Sequence, residues 1–182
     1  EDVTSISKSD FFIFLNNFSK LQSDFIFNIV NKINQNSTVN DFYYFDEDFL
    51  DKNNKRTNPF FKPDWSPYLL RSFNYIGTSF AIHKDLLSKL NNFLISDKNF
   101  QYNLILHCAE NSNNFVHIPI PSFTTLKIQK INHSKILSNH IRRLGLNASI
   151  KYDDNLNSYR VHYLLQNEPK VSIIIPTKNN KS

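Results

Sequence analysis

Glycine is nearly missing from this chain, with two residues in 182. That scarcity excludes a glycine-rich phosphate loop, where backbone N–H groups must close tightly around a ligand. Cysteine occurs once, at Cys108, so no intrachain disulfide can form. The run Leu104-Ile-Leu-His-Cys-Ala109 marks that thiol as a small buried core residue. Met is absent, position 1 included, which implies a piece excised from a longer protein. No apolar run approaches the ~18 residues of a membrane-spanning helix, and no signal peptide opens the chain. A cytoplasmic compartment is therefore expected. None of the six histidines has metal-ligand spacing with a partner.

What the chain has is aromatic mass: 17 Phe and 8 Tyr, enough to fill a core. Asn is used about once in seven residues and fills solvated positions. Net charge is +5 but unevenly placed: residues 127–182 carry 10 basic and 3 acidic side chains, while residues 1–126 carry 11 and 13. The basic rear suits an anionic membrane surface or an acidic partner, or is simply a solvated face. The aromatics do not alternate with the basic residues as a stacking platform for nucleic acid requires, so nucleic acid is not an expected partner.

Periodicity gives the order of elements. Phe11 to Leu15 reads as a buried strand. Phe25, Ile26, Ile29, Val30 and Ile33 recur at helical spacing behind Ser23 or Asp24 as cap. Phe42 to Phe45 is a second strand, and the strand–helix–strand unit predicts a right-handed crossover in a mostly parallel sheet. Residues 49–66 read as a long irregular segment, packed down by Phe60, Phe61 and Trp65. Ser66-Pro67 opens a short helix through Phe73. Then follow a strand over 77–83, a helix over 84–92, a helix over 97–110 capped by Ser96 or Asp97, and a strand from Phe115 to Ile118 ending at Pro119. A basic amphipathic helix over 132–145 stops at Gly145. A hairpin over 147–152 and 158–165 turns at Asp153-Asp154-Asn155. Residues 165–169 form a linker, and Val171 to Ile175 a buried-type strand.

Chemistry concentrates where the second strand runs into Asp46-Glu47-Asp48. Acids at the carboxyl end of a strand can hold a divalent cation or a sugar hydroxyl. They can equally form a solvated turn. Trp65 either walls an acceptor groove or packs the long segment.

The run Asp41-Phe-Tyr-Tyr-Phe-Asp46-Glu47-Asp48, the segment Pro59-Phe-Phe-Lys-Pro-Asp-Trp-Ser-Pro67 and the turn Asn74-Tyr-Ile-Gly77 together resemble the second half of a family 2 glycosyltransferase domain. Val171-Ser-Ile-Ile-Ile-Pro-Thr-Lys-Asn179 looks like the opening strand of another such domain. The resemblance implies an α/β fold of partial GT-A type, Rossmann-like with a mostly parallel sheet, plus a small helix-plus-hairpin connector. It divides the chain into the rear half of a degenerate domain (1–126), a connector (127–170) and the first strand of a following domain (171–182).

The same resemblance implies a glycosyltransferase of O-antigen or capsule type. Such an enzyme moves sugar from a nucleotide-diphosphate donor to a growing cell-surface glycan, with Mn or Mg as cofactor. The family's Asp-x-Asp metal motif falls here on Leu15-Asn16-Asn17-Phe18-Ser19, without carboxylates. Its catalytic base falls on Asn99-Phe-Gln101-Tyr102-Asn103-Leu104, where Gln101 and Asn103 are amides that accept no proton at neutral pH. Its His-Trp-Arg triplet falls on Phe123-Thr124-Thr125-Leu126. The segment alone is thus expected to lack catalytic residues and to need no cofactor of its own. Any donor, acceptor or cation contact would rest on Asp46, Glu47, Asp48 and Trp65, with Asp46 and Asp48 as weak metal ligands. Two other classes stand beside this one. One is a non-catalytic module that positions glycan or braces the following domain. The other is a basic adaptor at the inner face of the cell membrane.

Overall fold

The computed structural model describes residues 8–16, 19–35, 41–90, 100–125 and 132–176. Asn17, Phe18, the caps Ser96 and Asp97, Asn99, Leu126, the end of the helix expected over 84–92, and the motif beyond Pro176 lie outside the described residues. The strands are β1 (Phe11–Phe14), β2 (Lys20–Leu21), β3 (Phe42–Leu50), β4 (Arg56–Phe60), β5 (Phe80–His83), β6 (Phe115–Thr125), β7 (Ala148–Asp153) and β8 (Ser158–Tyr163). The helices are α1 (Phe25–Gln35), α2 (Pro67–Ser72), α3 (Lys84–Ser88), α4 (Phe100–Asn111) and α5 (Ser134–Arg143).

Six strands form one sheet in the order β1-β5-β3-β6-β2, with β4 also paired to β3. The expected mostly parallel sheet is corrected here: β3–β6 is parallel, and the other pairings are antiparallel. The cause is an insertion. β1 and β3 run the same way, as a strand–helix–strand crossover requires, but β5 enters between them and is antiparallel to both. Apolar runs report burial and carry no sign of strand direction. As expected, β1 and β3 are near neighbours and α1 packs on one face.

Period-two alternation explains why Phe42-Tyr43-Tyr44-Phe45 is buried throughout. Tyr43 and Phe45 face α1 with Phe25, Ile29, Ala81, Ile118 and Phe123. Phe42 and Tyr44 face the opposite layer with Phe80, Ile82, Phe115 and the α4 residues Leu104, Ile105 and Cys108. Each fully buried Phe or Ile contributes about 1.5–3 kcal/mol of transfer free energy. On α1 the buried Phe25 and Ile29 are one turn apart, which fixes its inner stripe.

Three other boundaries differ from expectation. β3 continues to Leu50, so the three acids lie inside a strand. Within residues 49–66, β4 forms and pairs back on β3. β6 runs on through Pro119 and Pro121 to Thr125. It does so by bulging: Pro119, Ile120 and Ser122 have no opposite residue in β3. Proline offers no N–H to a ladder, so an interior strand tolerates it only at such irregularities.

The helix and hairpin expected behind the main body form. Gly145, at φ +65°, stops α5, with Gly145 N–H donating to Arg142 O and Leu146 N–H to Ile141 O. β7 and β8 pair antiparallel and set Tyr159, Ile150 and Val161 against the core. Val171 to Ile175 is not a buried strand among the described residues: it joins no ladder, and Ile174 is 87% exposed. No helix among the described residues is long and apolar enough to cross a membrane.

Candidate functional site

The acidic half of β3 sits at a seam in the sheet. Along one edge, β5 covers Phe42 to Tyr44 and β4 covers Glu47 to Leu50. Phe45 and Asp46 have no strand partner on that edge. The segment after β4 fills the gap, and Lys62 N–H donates to Asp46 Oδ1 at 2.8 Å.

All three acids are buried: Asp46 is 1% exposed, Glu47 8% and Asp48 5%. This rules out the solvated turn. Each acid has its own cationic or donor partner. Asp46 Oδ1 also accepts from His117 Nε2 at 2.7 Å. The imidazole stacks on Tyr44 with centroids 5.0 Å apart, and its Nδ1 lies 3.7 Å from the exposed Asp64 carboxylate. Glu47 Oε1 lies 3.3 Å from Lys62 Nζ. Asp48 Oδ2 accepts from Arg56 Nε. Arg56 Nη1 passes the chain on to Gln22 Oε1 at 3.1 Å, and Gln22 Nε2 donates to Thr124 Oγ1 at 3.0 Å. Among the described residues Asp48 Oδ1 is buried without a hydrogen-bond partner.

Lys62 is the residue that sequence reasoning missed. Its side chain is fully buried. Nζ donates to Ile76 O at 2.6 Å, faces Glu47, and lies 5.4 Å from the centre of the Phe123 ring. Burial lowers its pKa, opposed by the charges of Glu47 and Asp46 and the hydrogen bond to Glu47. Gly77 packs against the Glu47–Lys62 pair. At φ +83° it occupies the left-handed region, and a Cβ there would stand 3.1 Å from Glu47 Oε1 and 3.3 Å from Lys62 Nζ. Asn74 fixes that turn, with its side chain bonded to both Gly77 N–H and Gly77 O at 3.1 Å. Phe61, expected to help pack the segment down, is instead 66% exposed, and Lys62 is the residue turned inward at this point, so its neighbours gave no signal of its burial.

Trp65 lies flat on Phe115, with centroids 3.8 Å apart and planes 8° from parallel. One ring face is therefore taken up in packing the loop. Tyr44 O–H donates to Pro63 O at 2.8 Å, and Tyr75 O–H accepts from Ser66 N–H at 2.9 Å. Burial raises the Tyr44 phenol pKa, with lesser contributions from Tyr75, Asp64 and Asp46.

Gln101 and Asn103 lie half-buried in the first turn of α4, on either side of Tyr102, whose hydroxyl donates to Leu70 O at 2.7 Å. Among the described residues no hydrogen bond or ion pair joins either amide to the acids of β3. Neither amide can act as a proton acceptor.

The residues do not fit a divalent cation. Such an ion needs several oxygens at about 2.0–2.6 Å with lone pairs free to face it. Here Asp46 Oδ1 already accepts two hydrogen bonds, and Glu47 and Asp48 face an ammonium and a guanidinium; the unpartnered Asp48 Oδ1 is a single oxygen, short of the several an ion needs. Among the described residues no group of three or more His, Cys, Asp or Glu is placed to hold a metal.

No family model matches the chain. It is similar to a protein of Myxococcus xanthus described as O-antigen biosynthesis protein RfbC. The two are 32% identical over 150 residues, which covers 75% of this chain and 12% of that protein. The chain thus spans about an eighth of the curated relative it matches.

Proposed function

We propose that this chain is a segment of a polysaccharide-biosynthetic protein of the family 2 glycosyltransferase kind. The parent moves sugar from a nucleotide-diphosphate donor to a surface glycan, with a divalent cation serving the reaction elsewhere in the longer protein. This segment contributes form rather than chemistry. The observation that carries the reading is the similarity to the O-antigen biosynthesis protein across three quarters of the chain. Support for a non-catalytic role comes from the site. Its acids are internally paired, and the positions resembling a base, Gln101 and Asn103, are amides. A following domain of the same kind, beginning near Val171, is the proposed partner. The exposed apolar residues Val171, Ile173, Ile174 and Ile175 support it, since such a run gains by entering a sheet.

Calorimetric titration of a nucleotide sugar with Mn²⁺, into the 182-residue chain and into the longer parent, tests this reading. Heat of binding from the parent alone is expected. Tight binding by the isolated chain would overturn the non-catalytic role, and no binding by the parent would overturn the assignment to sugar transfer.

A further inference from the structure

We propose that the Lys62 ammonium is the built-in cation of the acidic half of β3, standing where a divalent ion would otherwise neutralise these carboxylates. The inference concerns this chain's own charge balance and holds whatever the parent's donor or acceptor.

An ammonium has three donors and no acceptor. Ile76 O at 2.6 Å and Glu47 Oε1 at 3.3 Å take two directions, and the negative face of Phe123 lies 5.4 Å away. The side chain is fully buried, out of reach of bulk solvent. Burying an ammonium is costly unless it is paired and hydrogen-bonded, as it is here. The backbone of the same residue serves the neighbouring acid, since Lys62 N–H donates to Asp46 Oδ1. One residue therefore engages two consecutive acids, through its main chain and its side chain. His117 donates to Asp46 and Arg56 to Asp48.

The turn at Gly77 closes tightly over this pair: a methyl group there would come within 3.1 Å of Glu47 Oε1 and 3.3 Å of Lys62 Nζ. A metal reaching that oxygen would meet the ammonium at close range, and like charges repel strongly where water is excluded. The pairing joins three separated stretches: the acids of β3, the segment behind β4, and the turn at Gly77.

The test is thermal unfolding of the full chain in EDTA and in millimolar Mn²⁺, together with Mn²⁺ broadening of backbone amide resonances. The wild type is expected to melt at the same temperature in both, with no selective broadening at residues 46–48. Lys62→Met, which leaves Glu47 buried without its cation, is expected to lower the midpoint by on the order of 5–10 °C. The double variant Glu47→Gln/Lys62→Met is expected to recover part of that loss, because no charge is then left unpaired. A wild-type midpoint that rises with Mn²⁺, selective broadening at 46–48, or a Lys62→Met midpoint equal to wild type would each overturn the proposal. Should Lys62→Met fail to fold, the broadening experiment on the wild type decides alone.

Discussion

His140 donates its Nδ1–H to Glu110 Oε1 across 2.6 Å, and this bond joins the connector helix α5 to α4 of the main body. The tautomer follows from the network: Arg71 Nε–H donates to His140 Nε2 at 3.3 Å, so the ring proton sits on Nδ1. Arg143 adds hydrogen bonds to both Glu110 oxygens, at 2.7 to 3.0 Å. Burial alone would raise the Glu110 pKa. The hydrogen bonds from His140 and Arg143 and the charge of Arg143 outweigh it and bring the carboxyl down to about 2.

Glu110→Gln should therefore destabilise the fold by about 1–3 kcal/mol near neutral pH. A carboxylate with a depressed folded-state pKa stabilises fully above its ordinary value. That contribution is lost as pH falls from about 4.5 towards 2. Urea unfolding of both proteins should show the gap closing across that window. A gap that stays constant from pH 7 to pH 2 would show that Glu110 acts by packing alone.

Gly77→Ala and Gly145→Ala should separate crowding from backbone strain. Both glycines have positive φ, at +83° and +65°, where an added Cβ costs about 1–2 kcal/mol. Among the described residues, an added Cβ at Gly77 also faces a close contact, with Glu47 Oε1 at 3.1 Å, while one at Gly145 meets nothing within 4 Å. Chemical denaturation should show the larger loss for Gly77→Ala, and equal losses would mean that the Glu47–Lys62 pair yields freely.

Trp65→Ala should cost about 3–5 kcal/mol, as expected for an aromatic side chain stacked against the core. A loss below about 1 kcal/mol in the same denaturation assay would point to a ring held for a ligand instead.

Cys108 should resist thiol reagents in the native protein. It is fully buried, and burial raises its pKa, with smaller contributions from Asp41 and Glu110. Ellman's reagent at mildly alkaline pH should read no thiol until denaturant is added. Rapid labelling without denaturant would show that α4 opens readily.

The layers and the rear helix and hairpin were legible because periodicity reports burial. Phe25 and Ile29 faced the sheet as their spacing requires, whereas Ile26 and Val30 of the same run are exposed, and Gly145 stopped α5. Strand direction was not legible, because β5 reaches its place between β1 and β3 only through long-range pairing. The acids were found as a cluster but read as a strand end. Their burial depends on partners outside the run itself: Arg56 from the adjoining β4, Lys62 from the segment behind it, and His117 from distant β6. A lysine's role as a buried cation cannot be read from its neighbours in the chain alone. It requires Glu47, Ile76 and Phe123 to converge from three stretches.

The most direct test is incorporation of labelled sugar from a nucleotide donor into polymer by the longer parent protein, comparing the wild type with the double variant Gln101→Ala/Asn103→Ala. The account predicts that polymer forms at an unchanged rate, because neither amide takes part in the chemistry. A fall of tenfold or more in that variant, with its folding intact, or no polymer from the wild-type parent, would contradict it.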